Sequence, residues 1–323
     1  MCNSRFTKSL LAILFALTAL ISSAAADSPK DMLAAGRVDD AIRSLEGQIT
    51  ATPDSADSYN LLCRAYFALG DWDHAVPACE KAVSLDGNTS RYQLWLGRAY
   101  GEKADRVNFL SAAGLAKKVR NSFERAVALD PANVEAHVDL AEFYMEAPGI
   151  VGGGQDKAAA QADLLAKMNS PKAHWVRARL AEKRKDAPSA EREYRAEIEA
   201  DHGSADAWLD LSYFYKRQER FDEMESCILK ASTAHVVRAD VQVDGAETLI
   251  RLNRNLPLAE QLLRHYLATG TVEEGPAFKA HYLLGNLLEK QGKKAEAAQE
   301  YRNSLALARN FGRAQEALNR LGQ

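Results

Sequence analysis

Residues arranged to do chemistry are scarce in this sequence. The seven histidines are scattered: no two stand in an H-E-x-x-H arrangement, and no cysteine pair has the spacing of zinc ligands. No serine lies in the glycine-flanked turn of a nucleophile elbow. The glycine-rich stretch Gly149-Ile150-Val151-Gly152-Gly153-Gly154 is followed by Asp156 and Lys157, but it lacks the Gly-Lys-Ser/Thr ending and the preceding strand of a phosphate-cradling loop. These absences speak against the common hydrolase and nucleotide-binding classes, and neither a cofactor nor a metal is expected. A basic surplus is missing as well. Lys and Arg number 41 against 44 Asp and Glu, a net charge of −3, so general affinity for nucleic acid is not expected.

Long apolar runs are also few. The one near the start, Leu10 to Ile21, follows Arg5 and Lys8 and leads into Ser22, Ser23 and the triplet Ala24-Ala25-Ala26. A basic region, a short apolar core and an A-x-A end read as a secretory signal peptide over 1–26, cleaved after Ala26. The run is well short of the ~20 residues that span a bilayer. Cys2 precedes the apolar core, which rules it out as the lipidated cysteine of a bacterial lipoprotein. The style of this leader suggests a bacterium. The expectation is a periplasmic or secreted chain of residues 27–323, without membrane insertion after cleavage.

What the sequence does contain is a helical-hairpin pattern returning about every 34 residues. One copy carries Tyr59, Leu62, Cys63 and Tyr66, then Ala75, Cys79 and Ala82; the next carries Trp95, Leu96, Gly97 and Tyr100, then Phe123, Ala126 and Pro131. Later copies read Trp208, Leu211, Ser212, Tyr215 and Leu284, Gly285, Leu288, Ala297, Tyr301. Large residues at the fourth, seventh and eleventh places and small ones at the eighth, twentieth and twenty-seventh resemble the tetratricopeptide repeat. The resemblance implies an all-α solenoid of about seven to eight stacked hairpins, since no hairpin of this size buries its apolar face alone. It implies a fold and leaves function open.

The repeats run approximately 56–89, 90–133, 134–170, 171–204, 205–238, 239–277 and 278–311. A shortened hairpin precedes them and a closing helix is predicted over 313–321. Two hairpins carry insertions, near 101–119 and 147–156, which should emerge side by side on one edge, with Ile150 and Val151 tucked against the neighbouring insertion. Loops that interrupt a regular scaffold are where binding residues concentrate. Cys63 and Cys79 occupy the eighth and twenty-fourth places of one repeat, at equal height on facing helices. Either a disulfide or two buried thiols is compatible with that placement, and burial is the expected fate of Cys227. His137, His174 and His281 each take the fourth place of a first helix and read as packing residues.

In the tetratricopeptide family the first helices line an inner groove, mainly with their second, fifth, ninth and twelfth places. Carried onto this sequence, those places give Asn60, Arg64, Phe67, Arg91, Leu94 and Arg98, then Glu135, Val138, Glu142, Met145, Lys172, Trp175 and Arg179, and then Asp206, Leu209, Tyr213, Lys216, Lys279, Tyr282, Asn286 and Glu289. Charge along them alternates in blocks. Some family members clamp a peptide's terminal carboxylate with a fixed set of residues, but Asn60 and Arg64 depart from that set, and such binding is not expected. The leading expectation is a non-catalytic scaffold of the cell envelope that binds a protein or extended peptide along this groove. The competing readings are an enzyme with a small site at Arg106, Lys117, Lys118 and Asp156 under the insertions, and a self-assembling structural solenoid. The oligomeric state is left open.

Overall fold

Amphipathic stretches separated by short turns and loops become helices, and several of their starts are capped by a side chain. The side chains of Ser55, Asp71, Asn108, Asn133, Asp186 and Ser204 each accept a hydrogen bond from a backbone N–H three residues on. The computed structural model describes residues 27–235 and 238–322, so the leader expected over 1–26 lies outside the described residues. Among the described residues there are seventeen α-helices and no strand. The first hairpin is α1 (Pro29–Ala34) and α2 (Val38–Ala51). Seven hairpins follow: α3 (Ala56–Leu69) with α4 (Trp72–Leu85), α5 (Ser90–Ala104) with α6 (Phe109–Leu129), α7 (Val134–Glu146) with α8 (Gln155–Lys167), α9 (Lys172–Lys183) with α10 (Ala187–Ala200), α11 (Ala205–Arg217) with α12 (Phe221–Thr233), α13 (Val241–Leu252) with α14 (Leu256–Thr269), and α15 (Ala277–Lys290) with α16 (Lys294–Leu307). Helix α17 (Gly312–Arg320) ends the array.

The repeat places translate into three recurring contacts. At the eighth and twenty-fourth places a small residue faces a large one. A Cβ added to Gly97 would stand 2.4 Å from the Phe123 ring, and one added to Gly285 would stand 2.5 Å from Tyr301. In the hairpin of α3 and α4 the same two places hold Cys63 and Cys79, joined as a disulfide with Cα atoms 5.2 Å apart. At the eleventh place a tyrosine hydroxyl donates to a glutamate on the preceding hairpin: Tyr100 to Glu80 at 2.5 Å, Tyr144 to Glu124 at 2.8 Å and Tyr215 to Glu191 at 2.8 Å. At the fourth place a histidine meets the second helix of its own hairpin. His137 Nδ1 lies 2.6 Å from the Gln161 amide, His174 Nδ1 2.8 Å from Glu193 and His281 Nδ1 2.6 Å from Glu300. Each histidine thus ties together the two helices of its own hairpin. Cys227 is buried, which pushes its thiol up to about 11.

The first insertion lengthens α6 to 21 residues, and the second is a 3-10 turn, Gly149–Val151, ended by Gly152 in the left-handed region (φ 104°). Val151 is buried, and Arg120 of α6 donates to its carbonyl at 3.3 Å. Ile150 departs from expectation: it is 88% exposed, as Phe109 and Leu110 are at 81% and 83%. The turn is only three residues long, and with Val151 facing α6 its neighbour faces outward.

The array curls until its ends meet. Leu33, Val38 and Ala41 from the first hairpin share one apolar cluster with Phe278 of the last hairpin and with Phe311 and Ala314 of the closing segment. Thr271 donates to the Ala34 carbonyl at 2.7 Å, and the Arg309 backbone N–H donates to Asp39 at 3.0 Å. Gly36 is left-handed (φ 69°), and a Cβ there would lie 2.4 Å from the Ala277 nitrogen, so the seam requires glycine twice over. The concave side is thereby enclosed.

Candidate functional site: the closed concave face

Successive first helices present their second, sixth and ninth places to the concave side, and their charges interlock between repeats. Arg98 Nε donates to Asp139 at 2.6 Å and its Nη2 to Glu135 at 2.9 Å. Lys172 lies 2.8 Å from Glu197 and 2.6 Å from Asp210, while Lys279 lies 3.0 Å from Glu247 and 3.7 Å from Asp244. Arg91 pairs with Asp57 at 2.5 Å on the rim. Arg64 reaches across the seam to Glu273 in the loop after α14, with both side chains 11% exposed.

These pairs ring a central cavity of about 880 Å³. Its wall holds eight carboxylates and five cations, and every one of those cations is in an ion pair. The apolar part of the wall joins the Phe67 and Trp95 rings to Val134, Val138 and Val272; Phe67 stands edge-on to Trp95 at 5.4 Å and, behind the wall, to Trp72 at 5.0 Å. The guanidinium groups of Arg64 and Arg98 lie over the Trp95 ring at 5.0 and 5.1 Å. Burial raises the Glu273 and Asp139 carboxyls above their ordinary range, against the pull of Arg64 and Arg98. Burial would push Lys172 down, but Asp210 and Glu197 together hold its ammonium well above the usual lysine range.

The expected groove residues therefore divide. Arg64, Phe67 and Arg98 line the central cavity. Trp175 and Arg179 lie farther along, Arg179 over the indole at 5.6 Å and paired with Glu146 at 3.0 Å. Glu142 is exposed and has no ion pair among the described residues. Desolvation by the concave walls raises its carboxyl; Arg179 opposes this, and Asp139, Glu146 and Asp210 add to it. Tyr213 lines a second hollow. Others are packing residues: Asn60 is wholly buried with no partner for its amide among the described residues, and Leu94, Met145 and Leu209 belong to the core. Tyr282 stands edge-on to Phe311 at 5.3 Å beside the closing helix, and Asn286 accepts from the Tyr301 hydroxyl at 2.8 Å. For Tyr282 the reason is the closing segment, whose Phe311 covers part of the last repeat's inner face. Missed from the sequence were the sixth-place acids Asp139, Asp210 and Asp244. The pairings of Asp139 with Arg98 and of Asp210 with Lys172, at separations of 41 and 38 residues and so near one repeat length, are the signal that could have found such acids.

The polar residues of the insertions do not converge. Arg106 lies over Trp72 at 4.7 Å and pairs with Glu102, and Lys118 lies 3.3 Å from Glu80. Among the described residues no hydrogen bond or ion pair joins either of them to Lys117 or Asp156, and no group of His, Cys, Asp and Glu could hold a metal ion.

Family models described as tetratricopeptide repeat match residues 32–98, 205–234 and 278–311. Among solved structures the chain is similar to yeast Tom70, at 16% identity and a TM-score of 0.54, over 88% of this chain and 58% of that one. It is also similar to a thermophilic repeat protein of Thermus thermophilus (19% identity, TM-score 0.48, 58% of this chain and 96% of that one). A tetratricopeptide repeat protein of Parabacteroides merdae gives 15% identity and a TM-score of 0.48, over 91% and 96% of the two chains. No curated protein sequence matches.

Proposed function

The chain belongs to the tetratricopeptide repeat superfamily, and on that premise we propose that it is a non-catalytic protein-interaction scaffold of the bacterial cell envelope. Its leader would direct export and be cleaved after Ala26. The partner would offer a short protruding segment to the concave face, because the joined ends bound that face. The observation that carries the reading is the cavity wall. Partly exposed aromatic rings held rigidly between charged side chains are the residue types that dominate protein interfaces, where truncating one anchor costs about 2 kcal/mol or more.

The test is affinity capture of partners from a cell-envelope extract with residues 27–323, alongside Phe67→Ala and a Phe109→Ser/Leu110→Ser double variant. Loss of the partner only with Phe67→Ala, at unchanged helicity, supports the concave face. Retention by Phe67→Ala with loss in the double variant moves the interface to the insertions. The mass of the mature N-terminus, expected to begin at Asp27, checks the export reading.

A further inference from the structure

The second hollow, of about 460 Å³, lies where α11, α13 and α15 meet the closing helix. It breaks the charge rule that governs the rest of the inner face. At the twelfth place of its repeat, Glu182 accepts two hydrogen bonds from Arg217 at the thirteenth place of the next, both at 2.8 Å. One repeat farther on, the equivalent places hold Lys216 and Arg251, and two cations confront each other. Arg251 turns back to Glu247 of its own helix at 2.6 Å. Among the described residues Lys216 has no carboxylate partner, only the Tyr213 ring at 5.2 Å. Arg313, brought in by α17, has no ion pair among them either. The wall thus holds five cations and two carboxylates, with two of the cations uncompensated. The Tyr213 and Thr248 hydroxyls add neutral hydrogen-bonding groups to the same hollow.

Concentrating like charge in a concave site costs stability unless an opposite charge arrives to balance it, and such a site attracts that charge from a distance. We propose that this hollow is a binding site for an internal acidic segment of a partner polypeptide, whose side-chain carboxylates bridge Lys216, Arg251 and Arg313. The burial of Lys216 beside Arg251 and Arg217, which lowers its ammonium below the usual range, agrees with a cation awaiting an anion. Only the polypeptide nature of the ligand rests on the scaffold reading; the anion site stands on the reversed pair.

The test uses residues 27–323 and fluorescence anisotropy of a labelled peptide bearing four successive glutamates, amidated at its C-terminus, with its glutamine counterpart as control. The expected result is binding of the acidic peptide alone, weakened at least tenfold by Lys216→Glu and by Arg313→Ala and unchanged by Arg91→Ala on the distant rim. Lys216→Glu rebuilds the Glu182–Arg217 pattern with Arg251, so its melting temperature should be equal to or above the parent's, which separates lost binding from lost folding. Equal binding by Lys216→Glu and the parent overturns the proposal. So does a hollow that inorganic phosphate saturates while the peptide fails to bind, which would make it a small-anion site. If the envelope partner is still captured in either case, the scaffold reading survives the failure.

Discussion

The two hollows of the concave face draw on the same residue types and arrive at opposite states. Around the central cavity each lysine and arginine finds a carboxylate supplied by a neighbouring repeat or by the seam, as Arg98 finds Asp139 and Arg64 finds Glu273. Under the closing helix, Lys216 and Arg313 find none among the described residues. The difference shows that much of the inner-face charge is compensated by a carboxylate one repeat away, as Arg98 is by Asp139 and Lys172 by Asp210, and that a place without such a carboxylate leaves its cation open. Changing the residue at one repeat-equivalent place therefore leaves two positions out of balance. It also separates charge that maintains the architecture from charge left available to a ligand.

The widest separation between the two regions should come from removing one lysine in each. Lys172→Met strands Glu197, which is wholly buried, together with Asp210. Removing one member of a buried network costs about 3–5 kcal/mol, read as a fall in the denaturant midpoint. Lys216→Met strands no carboxylate and should leave the midpoint unchanged or raise it. A loss in both variants would show that the second hollow is structural after all.

The seam is the next test. Glu273→Ala leaves Arg64 buried and unpaired at the junction of the two ends, with an expected cost of about 3 kcal/mol. The radius of gyration from small-angle scattering should rise as the ring opens. An unchanged radius would mean that the apolar cluster of Leu33, Phe278 and Phe311 holds the ends alone. The disulfide closes a loop with a sequence separation of 16, for which the chain-entropy estimate is about 3 kcal/mol. Its reduction should loosen the hairpin of α3 and α4 ahead of those bordering the second hollow, as seen by hydrogen exchange.

The smallest effect separates inner from outer carboxylates by pH. Burial pushes Glu191 up, but hydrogen bonds from Arg195, Tyr215 and Arg220 outweigh it and hold its carboxyl at about 2, against an ordinary 4.5. A folded-state value below the unfolded one gives stability that is fully present above pH 4.5 and lost as pH falls toward 2. The Glu191→Gln variant should show a shallower acid limb over that window. Glu273 and Asp139 are shifted the other way, so they do not contribute to that limb.

Much of the fold was legible because hairpin packing is local. The small eighth-place residues Gly97 and Gly285 announce the aromatic rings that face them, and Cys63 with Cys79 substitutes a covalent link at the same two places. The groove was legible only in part. Arg64, Phe67 and Arg98 stand on the cavity wall, whereas Asn60 is wholly buried and Tyr282 is covered by Phe311, which comes from outside its own hairpin. Ile150 illustrates the same limit in a three-residue turn, where a rotation that buries Val151 exposes its neighbour.

By itself the sequence determined the helices, their pairing and the repeat-to-repeat stacking, since these follow from the spacing of large, small and capping residues within about one repeat length. Only the tertiary structure decided that the superhelix closes. The curl summed over the successive hairpins carries Arg309 to Asp39, 270 positions earlier in the chain, and no local pattern encodes a sum of small rotations. The same closure decided which charges are spent on holding the ring and which remain for a ligand.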